Sequence, residues 1–236
     1  MKLFFLVSIK RYNNLFDFSS YLLYHSTQIH YITMKNKQQI LLLHGGTTHP
    51  SYDTYLEELK NKNLKLERIL SQRNWKNELQ DQLGEDFAVY TPQMPNKQNA
   101  QYEEWKLVFE KIVELLDNNF ILVGHSLGAI FIVKYLSENM ISKTIKKTLL
   151  LGTPFDDEEL GDESLCSFLR KENLKNFEQQ AGEVFFYHSE DDFSVPFNHI
   201  GKYRQELPNV SIRTMKDRNH FLQEEVPELV VDIKSV

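Results

Sequence analysis

The stretch from Phe120 to Val133 constrains the chain more than any other. Four apolar residues, Phe120-Ile121-Leu122-Val123, run into Gly124-His125-Ser126-Leu127-Gly128, and the apolar run Ala129-Ile130-Phe131-Ile132-Val133 follows at once. Read together, these are a buried strand, a sharp turn and a buried helix. A serine at such a turn is forced into a strained elbow with its hydroxyl projecting above the sheet. The flanking glycines remove side chains that would collide with neighbouring backbone. His125, inside the motif, reads as a packing or supporting residue with no proton-transfer role.

The rest of the chain agrees with that local reading. Short apolar runs predict strands at Ile40–Leu43, Phe87–Tyr90, Phe120–Val123, Thr148–Leu151 and Val184–Tyr187, with a sixth at Val210–Thr214. Between them, Trp105, Val108, Phe109, Ile112, Val113 and Leu116 recur at helical spacing. Further helices are expected over Tyr52–Lys60, Leu66–Leu83, Leu127–Glu138, Phe197–Leu207 and Pro227–Ile233. Helices separating consecutive strands dictate a mainly parallel α/β sheet with right-handed crossovers and helices on both faces. The segment Phe155–Gln180 is longer than an ordinary connection and is expected to roof the site as a small cap rather than a large lid domain.

At 236 residues the chain suits one domain. A net charge of −6 argues against a nucleic-acid partner, which would call for clustered Lys and Arg. The small basic group Lys143, Lys146 and Lys147 reads as a solvated connection. The single cysteine, Cys166, excludes an internal disulfide and a cysteine pair for zinc, points to a reducing, cytoplasmic setting, and reads as a small buried hydrophobe. Residues 1–33 carry eight aromatics and only four charges. Their apolar run, Leu3 to Val7, is too short to span a bilayer, and no membrane span is expected. Either Met34 is the working start of a 34–236 domain, or residues 1–33 are a weakly packed extension.

An elbow serine needs a base and a group to orient it, and in folds of this kind the chain order is nucleophile, acid, histidine. Past the strand Val184–Tyr187 comes His188-Ser189-Glu190-Asp191-Asp192-Phe193-Ser194-Val195-Pro196. Asp192, three residues before Val195, is preferred to Asp191 as the acid; the bland alternative is a helix cap. Beyond the last strand, His220 lies in a loop, whereas His199 falls inside a predicted helix with a surface or partly packed role. An oxyanion would take the backbone N–H of Leu127 and one from the loop after Leu43, with Gly46 preferred and Thr47 second. Tyr52, Tyr55, Phe155, Phe168 and Phe193 either line an apolar pocket or belong to the core.

Leu-Leu-His-Gly-Gly at 42–46, Gly-His-Ser-Leu-Gly at 124–128, Asp-Asp-x-x-Val-Pro at 191–196 and Asn-His-Phe at 219–221 together resemble the α/β-hydrolase superfamily over residues 38–236. The compact layout is similar to the small serine hydrolases of the retinoblastoma-binding-protein-9-like (YdeN-like) group. The resemblance implies a cofactor-free, metal-free hydrolase of small acyl substrates, esterase-like, with Ser126, Asp192 and His220 at the triad positions. It leaves ester, thioester and amide bonds open, and with them an acyltransferase or a non-catalytic binding protein on the same frame. The helix-rich stretch Tyr52–Leu83 is longer than that family's usual first connection.

Overall fold

A computed structural model describes residues 37–66, 73–161 and 164–235. The 1–33 segment and the expected start at Met34 lie outside them. Six strands form one sheet, β1 (Gln38–Leu43), β2 (Phe87–Tyr90), β3 (Phe120–His125), β4 (Ile145–Leu151), β5 (Glu183–Ser189) and β6 (Ser211–Met215). Every pairing is parallel, in the order β2-β1-β3-β4-β5-β6. Between them run helices α1 (Tyr52–Asn61), α2 (Trp75–Leu83), α3 (Tyr102–Leu115), α4 (Leu127–Glu138), α5 (Lys175–Gln180) and α6 (Asn198–Glu206), and α7 (Pro227–Lys234) ends the described chain.

Alternation along each strand sends successive residues to opposite faces of the sheet. Leu41, Leu43, Leu122, Leu150 and Phe186 join α3, α4, α5 and α6 in one core, centred on Trp105, Phe109 and Phe131. Ile40, Leu42, Ile121, Val123, Leu149 and Tyr187 pack on the other face against Trp75 and Leu79 of α2 and Leu229 and Ile233 of α7. Each such side chain contributes roughly 1.5–3 kcal/mol on burial. Helix α4 is buried on nearly all sides, only Glu138 being left out, which explains why its sequence is apolar without a polar stripe.

The order of strands reverses between β1 and β3, because the chain first adds β2 on one side and then crosses to the other. Ligand crevices in open α/β sheets form at the carboxyl ends of the strands beside such a switch point. The loop after β1 and the elbow after β3 both lie there.

Three expectations are corrected. Leu66–Leu83 is not one helix: Asn74 is extended (φ −148°, ψ 155°) and its side-chain oxygen accepts from the N–H groups of Lys76 and Asn77, so α2 begins at Trp75. An asparagine that offers this cap competes with helix continuation; residues 67–72 lie outside the described residues. Lys147 is not solvated. It is buried on β4, and its ammonium donates to the carbonyls of Asp232 and Ser235 and to the Ser235 hydroxyl, clamping the end of α7 to the sheet. His199 is fully buried rather than near the surface, accepting from Phe155 N–H at 2.9 Å and bonding the Glu158 carbonyl at 2.8 Å.

The 155–180 segment divides in two. Leu160, Ser164 and Leu165 border the cleft at the switch point, as a small cap would, while Phe168, Leu174 and Phe177 are core residues on the α4 side of the sheet.

Candidate active site

The turn between β3 and α4 is the sharp elbow its glycines imply. Ser126 has φ 55° and ψ −122°, a conformation that costs a side-chain-bearing residue on the order of 1–3 kcal/mol and persists only where the surroundings impose it. They do so by crowding. A Cβ on Gly124 would lie 2.7 Å from Ala129 Cα, and one on Gly128 would lie 2.6 Å from the carbonyl oxygens of Leu43 and His44. The serine N–H is fixed to Leu151 O at 2.9 Å, and the half-buried side chain opens into the cleft.

Two loops from the far edge of the sheet bring an acid and an imidazole to the same cleft. The Asp192 carboxylate is completely buried, and His220 Nδ1 meets both of its oxygens, at 3.0 and 2.9 Å. Oδ1 also accepts from the N–H groups of Ser194 and Val195, each at 2.9 Å, so the local capping role and the histidine contact coexist. With Nδ1 committed to a carboxylate, its proton is held there. The other ring nitrogen, Nε2, is buried and without a hydrogen-bond partner, and the ring lines the cleft with Ser126. Buried polar atoms are nearly always paired, so an unmatched one beside a serine at a cleft is a candidate to meet an incoming reactant.

The supporting parts of Gly152, Ser189 and Trp75 escaped the sequence reading. Gly152, just past β4, has φ 54°, and a Cβ there would fall 3.0 Å from His220 Cε1 and 3.4 Å from Asp192 Oδ2. Its only sequence signal was a glycine ending a strand. Asp191 accepts from the Ser189 hydroxyl and from Asn219 N–H, and Ser189 in turn accepts from Arg218 N–H, tying the acid loop to the histidine loop. The histidine loop is itself strained, with Asn219 at φ 47° and Phe221 at φ 53°. Trp75 Nε1 donates to Phe221 O at 2.9 Å. His125 Nε2 bonds His220 O at 2.9 Å. Burial holds the His125 pKa well below its ordinary value, with the Lys76 charge acting in the same direction, so it is neutral and Nε2–H is the donor. That is the supporting, non-titrating part expected of it.

The loop after β1 supplies the facing wall. His44 Nε2 accepts from Met94 N–H at 2.9 Å, which places its proton on Nδ1, 2.6 Å from Gly45 O. Thr47 N–H is spent on Lys97 O at 2.8 Å, which removes Thr47 as an oxyanion donor and favours Gly46. Leu127 N–H opens helix α4, where the first N–H groups have no intrahelical partner. Of the candidate aromatics, Tyr55 lines the cleft and Phe168 is core, whereas Tyr52 and Phe193 are exposed and Phe155 packs on Tyr203. Cys166 is half-buried and is not itself among the residues lining either limb of the cleft. Among the described residues no cluster of potential metal ligands occurs, and no helix is long and apolar enough to cross a membrane.

The serine hydrolase family matches residues 70–225, more than half of the chain and a span that contains Ser126, Asp192 and His220. The chain belongs to that family. Solved structures similar to this serine hydrolase include the ydeN gene product of B. subtilis, at 18% identity and TM-score 0.60 over 84% of this chain and 97% of that one. A putative aryl esterase from Burkholderia cenocepacia aligns at 14% identity and TM-score 0.58, over 84% and 88% of the two chains. The thioesterase domain from the curacin biosynthetic pathway aligns at 12% identity and TM-score 0.55, over 84% and 92%. At these identities the likeness is one of fold, and it bears out the α/β-hydrolase, YdeN-like resemblance of the motifs. No curated protein matches the chain.

Proposed function

We propose that this serine hydrolase cleaves an ester or thioester of a small acyl substrate through an acyl-enzyme, with Ser126 as nucleophile, His220 as base and Asp192 orienting the base. The observation that carries the reading is the histidine at the cleft: Nδ1 fixed by a buried carboxylate, Nε2 buried and unpartnered, Ser126 lining the same cleft. Ser126 Oγ adds to the carbonyl carbon while its proton passes to His220 Nε2. The oxyanion takes the N–H groups of Leu127 and Gly46. The bond to the leaving group then breaks, and Nε2–H delivers the proton to the departing atom. Water repeats the sequence on the acyl-enzyme and restores Ser126. Asp192 keeps Nε2 free to accept and steadies the imidazolium. No step calls for a metal or cofactor, and the lone half-buried cysteine suits a reducing cytoplasm.

Labelling by a fluorophosphonate probe tests this directly. Wild type is expected to label at Ser126, Ser126→Ala not at all, and His220→Ala far more slowly. A folded wild type that never labels overturns the proposal.

A further inference from the structure

Ser126 lies where two limbs of the cleft meet. One, of about 440 Å³, is lined by Ser126, His220 and three lysines, Lys62, Lys76 and Lys97. The other, of about 800 Å³, contains Ser126, Leu127, Pro154, Leu160, Leu165 and Val195, and His220 does not reach it. Glu58 borders both and is bonded to His49 at 2.6 Å; Glu57 belongs to the second limb.

The proposed chemistry assigns the two limbs. The proton carried by His220 Nε2 must reach the departing atom, so the leaving group occupies the limb that His220 lines and the acyl group the other. The leaving-group limb is the cationic one. Among the described residues none of Lys62, Lys76 and Lys97 has a carboxylate partner, and the half-buried Lys76 differs in this from the two fully buried lysines, Lys134 and Lys147, each of which has one. Resting on that reading of the site, we propose that the substrate is an ester or thioester of an anionic alcohol or thiol, its carboxylate or phosphate received by Lys76 with Lys97.

Lys76 is the sharper of the two. It is half-buried in the lining of the cleft, with its ammonium 4.9 Å from the Trp75 ring. Burial draws its pKa down to about 8, so it remains cationic at neutral pH while lacking the water and the counter-ion that would stabilise the charge. Its charge is felt by His44 and His125, both held below their ordinary pKa by burial, and neither neutral imidazole can compensate it. An anionic group entering this limb relieves that deficit; a neutral group of the same shape does not.

The test compares three butyryl esters differing in leaving group: 4-butyryloxybenzoate, 4-butyryloxyphenyl phosphate and the neutral 4-butyryloxybenzamide. The readout is the ratio of kcat/KM for each anionic ester to that for the amide, which cancels effects common to all three. One well-placed, partly desolvated ion pair is worth roughly tenfold in such a ratio. The ratio for at least one anionic ester should fall by about that factor in Lys76→Met, persist in Lys76→Arg, and shrink with added salt. Whichever anionic ester shows it identifies carboxylate or phosphate as the recognised group. Lys97→Met, at an exposed position that does not endanger folding, should lower the ratio by a smaller factor. Ratios unchanged in both Met variants, in a protein that hydrolyses the esters and labels at Ser126, overturn this inference alone. Absence of both hydrolysis and labelling overturns the proposed reaction itself.

Discussion

Gly152 offers a sharp test of how the site is assembled, because no catalytic motif includes it. In Gly152→Ala the new Cβ would stand 3.0 Å from His220 Cε1, 3.1 Å from Nδ1 and 3.4 Å from Asp192 Oδ2. Relief requires the imidazole to retreat by some tenths of an ångström, which is comparable with the roughly 0.5 Å tolerance of catalytic constellations. Since a misplacement of about 1 Å costs on the order of a hundredfold, the fluorophosphonate labelling rate of Ser126 should fall roughly tenfold. Alanine at φ 54° adds a backbone cost of about 1–2 kcal/mol, read in urea denaturation. Gly84→Ala separates the two effects. Its φ is 84° with nothing within 4 Å of the added Cβ, so it should lose at least as much stability and label at the wild-type rate. If Gly152→Ala labels as wild type does while losing the stability expected of its φ, the crowding argument for this glycine is wrong.

Asp192→Asn should keep the fold, since the amide oxygen can still accept from Ser194 and Val195, yet slow labelling by about a thousandfold or more, because the NH2 group then faces Nδ1 and forces the wrong tautomer. Lys147→Met should lower unfolding free energy by about 1–2 kcal/mol in urea titration, since it removes the ammonium's bonds to Asp232 O and to Ser235 that tie the end of α7 to the sheet; an unchanged midpoint would refute the clamp. The pH dependence of selectivity follows from Lys76. Its pKa is depressed to about 8, so the preference for anionic leaving groups is present below that pH and fades as the amine deprotonates above it. A preference that holds steady well into alkaline pH would show that another cation carries it.

What the sequence discloses is local in character. The elbow reads directly from Phe120–Val133, because the apolar runs and the glycines belong to neighbouring turns of the same chain. The meeting of Asp192 with His220 was legible because each follows a strand, and strand ends converge in a parallel sheet. The break at Asn74 was overridden by helical periodicity in the flanking residues, although asparagine's preference for caps was a usable signal. Lys147, His199 and Gly152 were not legible. Their roles depend on the carbonyls of Asp232 and Ser235, on the 155–158 segment and on the His220 ring, partners distant in sequence that only packing selects. The lysines of the leaving-group limb come from three separate segments and show no pattern until the switch point gathers them.

Helix α1 buries none of its residues, yet it supplies Tyr55, Glu58 and Leu59 to one limb and Thr54, Glu57 and Asn61 to the other. It is held by the reciprocal Ser51–Thr54 cap, the His49–Glu58 bond and the Tyr55 ring against His49, and it adds no buried residue to the core. The molecule thus separates two kinds of tolerance to change. Substitution along 52–61 reshapes what the enzyme admits while the cooperative core goes untouched, making this helix the place where new substrate ranges can arise within one lineage without a penalty in foldedness.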